Sequence, residues 1–164
     1  MNPSFRKYSF LTLLIGIMAG LLIGTGCQQG SVFHKSVVLP ANGWDMNQKI
    51  RFSDTLPEGT PNVVHRVLTL RNNNAFPYQN LWIYFKTFTA DSVSVDSINW
   101  QLAKQDGTWL GKGWGSLYTN TYNLPDLVFP KKDTLRWFRM ELMHGLRDSL
   151  LSGISDVGLR LYTN

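Results

Sequence analysis

Two segments in the second half of the chain carry a strict two-residue alternation. Phe138, Met140 and Leu142 alternate with Arg139 and Glu141, and Val157, Leu159 and Leu161 alternate with Gly158, Arg160 and Tyr162. In an extended strand that period puts one set of side chains on each face, so each segment has a single apolar face to bury. Shorter apolar runs at 50–53, 63–70, 81–89, 93–100 and 127–129 are divided by turn-forming residues. These are Pro57, Gly59 and Pro61, then Asn72 to Asn74 with Pro77, then Asp106-Gly107. Half-buried strands at such spacing predict an all-β chain, an antiparallel β-sandwich of immunoglobulin-like or jelly-roll-like type. The segment 81–88 is apolar on both faces, which places it centrally or against a partner. The one helical candidate is His144 to Ser152, where Leu146, Leu150 and Leu151 fit one helical face.

The N-terminus follows different rules. Arg6 and Lys7 precede an uncharged run from Phe10 to Ile23. As a helix this run spans about 21 Å, against a hydrocarbon core of roughly 30 Å, so it suits a cleaved signal helix better than a membrane span. Gly24, Thr25 and Gly26 follow, and then Cys27, the only cysteine of the chain. Small residues before a cysteine resemble a bacterial lipoprotein signal, in which the cysteine is acylated, as with palmitate, and becomes the first residue of the mature protein. Gly24 stands where a leucine or other aliphatic is usual. A single thiol cannot close an internal disulfide in an oxidising compartment, and acylation gives it a purpose. The expected organisation is a signal peptide over 1–26, the lipidated Cys27 with a tether over 27–36, and a single sandwich domain over 37–164. Without Arg6 and Lys7 the mature part has 14 basic against 11 acidic residues, a net of +3. The basic residues are scattered, and a nucleic-acid partner would require a basic stripe.

Catalytic patterns do not emerge. His34, His65 and His144 lie far apart, no G-x-S-x-G elbow occurs, and Asp91 and Asp96 lack the ligand spacing of a calcium loop. The reading is of a protein without enzymatic activity, metal or cofactor. The stretch "DGTWLGKGWGSLY" at 106–118 says more. In a strand, Gly111, Gly113 and Gly115 would share one face and leave bare backbone, which an aromatic from a neighbouring strand commonly covers. Lys112 and Trp114 would project the other way with Leu110. Trp109, Lys112 and Trp114 are the candidate interaction residues. Packing accounts for both tryptophans in the plain reading, and an exposed platform for a partner protein or a sugar ring is the sharper one.

These residues, with "LPANGWDMN" at 39–47, "RNNNAFPYQNLWIYF" at 71–85 and "GISDVGLRL" at 153–161, resemble the gliding-motility lipoprotein GldH family of Bacteroidetes-type bacteria. The resemblance implies an outer-membrane lipoprotein that assists gliding and the linked protein-secretion machinery, with other motility or secretion lipoproteins as partners and no catalytic residues. Residues 28–32 lack the acidic cluster that resembles a surface-export tag in such bacteria, which favours the periplasmic face. A second expectation is a lipid-anchored glycan-binding module, with Trp109, Trp114 or Trp44 stacking on peptidoglycan or polysaccharide.

Overall fold

Eleven strands succeed one another in the computed structural model, which describes residues 30–130 and 135–164. They are β1 (Gly30–Val38), β2 (Trp44–Asp45), β3 (Ile50–Thr55), β4 (Val63–Asn73), β5 (Asn80–Phe88) and β6 (Val93–Gln101), followed by β7 (Lys112–Trp114), β8 (Leu117–Val128), β9 (Trp137–His144), β10 (Leu150–Leu151) and β11 (Ile154–Thr163). One sheet has the order β1-β11-β4-β8-β7 and the other β3-β9-β5-β6, with the short pair β10-β2 at a corner. Every pairing is antiparallel. The expected antiparallel sandwich is what the chain forms.

The alternation explains the core. Val157, Leu159 and Leu161 of β11 face Phe138, Met140 and Leu142 of β9 across the interior, and all six are buried. Arg139 and Glu141 take the opposite face, as their spacing predicted. Phe33 of β1 meets Phe138 edge-on, with ring centroids 5.0 Å apart, which ties the first strand to the second sheet. Trp100 of β6 meets Tyr122 of β8 at 5.5 Å. A polar link also crosses the layers, where buried Arg66 of β4 donates to the Thr87 hydroxyl of β5 at 3.0 Å and to the Pro125 carbonyl. Burial lowers the Arg66 pKa to about 10, with Asp126 and Asp96 acting against that shift, so the group stays charged at neutral pH.

Two expectations are corrected. Residues 30–36, assigned to the tether, form most of β1 and pair with β11 from Gly30 onward. Phe33 is the one buried side chain of that strand, because β1 lies at a sheet edge; its backbone pairing leaves no apolar period in the sequence. The helix over His144 to Ser152 is absent. His144 ends β9, the Gly145 amide donates to the Trp82 carbonyl, and Leu150-Leu151 pair with Trp44-Asp45. Leu146 and Leu151 are apolar because they close this corner of the core, not because they share a helical face. Cys27 and the signal segment lie outside the described residues.

Candidate interaction surface

The glycine-rich stretch forms a hairpin at one end of the sandwich. Trp114 of β7 pairs with Leu117 of β8, which leaves Gly115-Ser116 as a two-residue turn. Gly115 takes φ +66° and no described non-glycine residue has positive φ, so only the first turn residue is left-handed. That is the signature of a type II′ turn, whose twist matches the flanking strands. The stretch is therefore not one strand with a bare glycine face, since β7 contains only Gly113. At Gly113 the expected cover is present. A Cβ there would press on the Leu117 carbonyl and lie 2.8 Å from the ring of Tyr118, its cross-strand partner. At Gly111 the cover is the Asn120 amide, also 2.8 Å from the position of a Cβ. The Asn120 side-chain amide donates to Asn72 Oδ1 of β4 at 2.8 Å in a buried pair, which fixes the base of the hairpin.

On this braced hairpin Trp114 is 96% exposed, with Lys112 exposed on the same strand. Trp109 behaves differently. Its ring lies 5.7 Å from Tyr118 and 6.3 Å from Phe76, and its indole N–H donates to Asn74 at 3.0 Å. Trp109 packs beneath the hairpin and Trp114 stands clear of it. Trp44 does not qualify as a platform: it is 0% exposed, and its indole N–H donates to the Gln48 carbonyl at 2.9 Å.

A second surface was only half legible in the sequence. The segment apolar on both faces is β5, central in the four-stranded sheet, with Leu81, Ile83 and Phe85 turned inward. Its outer face presents Trp82 and Tyr84 to solvent, with Lys86 and half-buried Phe88 below them. Arg139 and Lys86 sit over the Phe88 ring at 4.2 and 4.9 Å. Glu141 draws in Arg51 at 3.2 Å, Lys49 at 3.5 Å and Arg139 at 3.8 Å. Among these, Lys49, Lys86 and Glu141 rim a depression of about 170 Å³ floored by Tyr84, Val95 and Met143. An apolar floor inside a charged rim suits an apolar side chain of a partner more than a polar reactant. No sequence signal marks this cluster, because its members come from strands that only the sheet order brings together.

The titratable groups do not converge. His34 is exposed, His65 pairs with Asp126 at 2.9 Å, and His144 is buried with Nε2 on the Trp44 carbonyl at 3.1 Å. Desolvation pulls the His144 pKa below the ordinary histidine value, and the carbonyl contact opposes this. The carbonyl requires the proton on Nε2, so the neutral ring leaves Nδ1 as an unpaired acceptor. Among the described residues no three His, Cys, Asp or Glu side chains cluster as a metal site.

Residues 31–161 match the family model described as GldH lipoprotein. The gliding motility lipoprotein GldH of Flavobacterium johnsoniae is 26% identical over 156 residues, covering 88% of this chain and 92% of that protein. A gliding motility lipoprotein GldH homolog of Christiangramia forsetii is 28% identical over 102 residues, covering 57% of this chain and 62% of that protein. No solved structure matches significantly.

Proposed function

The chain belongs to the GldH lipoprotein family, and from that membership we propose a non-catalytic accessory component of the gliding-motility apparatus and of the protein-secretion machinery linked to it. It is held at the outer membrane by acylated Cys27, on the periplasmic face, where it contacts partner lipoproteins. The names of the two relatives reported above support the motility role. The lack of acidic residues at 28–32 supports the periplasmic side.

One observation carries the interaction reading. Trp114 is almost wholly exposed on a hairpin that is braced from beneath by Tyr118 and by the Asn72–Asn120 pair. An indole held there contributes little to the core, while large aromatics are the usual anchors of protein interfaces. Truncating such an anchor costs about 2 kcal/mol or more, roughly a thirtyfold loss of affinity. Trp114→Ala should therefore leave melting unchanged and sharply reduce recovery of partner lipoproteins from membranes. Retention of those partners together with loss of binding to isolated peptidoglycan or polysaccharide would instead favour the glycan module. An unfolded variant would return Trp114 to the core.

A further inference from the structure

The end of the sandwich opposite the Trp114 hairpin is defined by where strands start and stop. Gly30 opens β1 opposite Thr163 of β11, and Val63 opens β4 opposite Val128, the last residue of β8. The connection 56–62 lies at this end, where the Leu56 amide donates to the Arg136 carbonyl at 2.7 Å and the Phe129 amide to the Asn62 carbonyl at 2.8 Å. Three aliphatic side chains are exposed here: Val63, Val128 and Leu135 are 43, 69 and 62% exposed. The first two are direct cross-strand partners and form one contiguous patch. Beside them on the same sheet lies Tyr162, with His65 at 5.1 Å and Arg160 at 5.0 Å over its ring. Tyrosine and arginine are each favoured where an apolar surface meets lipid headgroups.

Other parts of the molecule also expose apolar groups. Chain length singles out this end. Cys27 precedes Gly30 by three residues, which reach at most about 10 Å when extended. The headgroup layer on each side of a bilayer is itself roughly 5–8 Å deep. With Cys27 acylated there is no room for a tether between lipid and fold.

We propose that this end is a membrane-seating surface: Val63, Val128 and Leu135 rest on the lipid interface beside the anchor, so that the sandwich stands on end. The twelve residues of β8 run from this seat to the hairpin, which at about 3.3 Å per residue holds Trp114 about 40 Å from the membrane. The proposal rests on acylation of Cys27, and it deepens the interaction reading by stating where the partner must be met. That partner lies away from the lipid to which this protein is anchored.

The test uses the full lipidated chain, in which a new cysteine is the only free thiol. Val63→Cys, Val128→Cys and, on the hairpin, Ser116→Cys are labelled with a bimane fluorophore. The proteins are then reconstituted into phosphatidylethanolamine–phosphatidylglycerol vesicles carrying spin-labelled lipid. Quenching at positions 63 and 128 should exceed that at 116 several-fold. Equal quenching at all three positions in a protein whose acyl chains are confirmed by mass spectrometry would overturn the seat and leave the anchor standing. A mature N-terminus without acyl chains would overturn the anchor and the seat together.

Discussion

Trp44 and Trp114 are both flanked by glycine in sequence, and both read there as possible stacking platforms, yet the fold gives them opposite fates. Trp44 sits in the corner made by β2 and β10, wholly buried, with its N–H on Gln48 and its ring 5.3 Å from His144. Trp114 sits on the β7–β8 hairpin with almost all of its surface in water. Local sequence sets the turn next to each tryptophan, but only the strand pairing decides whether another layer covers it. A corner has two layers to close over a ring, whereas Trp114 on the edge strand β7 is left uncovered.

The largest effect should come from the buried member of the pair. Trp44→Ala removes a full core side chain and leaves His144 without its aromatic neighbour, at a cost of about 3–5 kcal/mol. Thermal or urea unfolding of the protein measures it, and a change below about 1 kcal/mol would place Trp44 outside the core.

Next comes the brace of the exposed member. Gly113→Val drives a branched side chain against the Leu117 carbonyl and the Tyr118 ring, and overpacking of this kind costs about 1–3 kcal/mol. Melting that matches the wild type would mean that the hairpin opens freely, and the rigid display of Trp114 would lose its basis.

A smaller effect is tied to pH at the buried corner. His144 titrates below its ordinary value in the folded chain because desolvation disfavours its charged form. As pH falls, the unfolded chain therefore takes up this proton first. The contribution of His144 to stability is full above the ordinary value near 6.5 and is lost as pH falls below it through the folded value. Melting temperature should decrease from pH 7.5 to 5, and His144→Gln, which removes the titration, should flatten that decline. An equal slope in the variant would assign the pH dependence to other groups.

The smallest change in stability is expected for Trp114→Ala, within about 0.5 kcal/mol of the wild type. The same measurement that finds a large loss for Trp44 should barely register this one, and a comparable loss at both sites would erase the contrast.

The alternation at 138–142 and 157–161 was enough to define the sandwich class and six of its buried core residues, because a two-residue period with one apolar face has few other ways to bury itself. The turn at Asp106-Gly107 was legible for a similar reason, since Gly107 takes φ +84°. Strand β1 and all of β8 before Leu127 were not. Their polar residues are accommodated by an edge position in one case and by the buried Asn72–Asn120 hydrogen bond in the other. Trp109, Lys112 and Trp114 could be singled out as a group, but their division into a packed ring and a free one depends on Tyr118, Phe76 and Asn74, which come from elsewhere in the chain. The cationic and aromatic face around Tyr84 and Phe88 draws on β3, β5, β6 and β9. Periodicity within a segment decides which face of a strand is apolar; which strands stand side by side, and so which side chains share a surface, is decided by long-range pairing that no local pattern encodes.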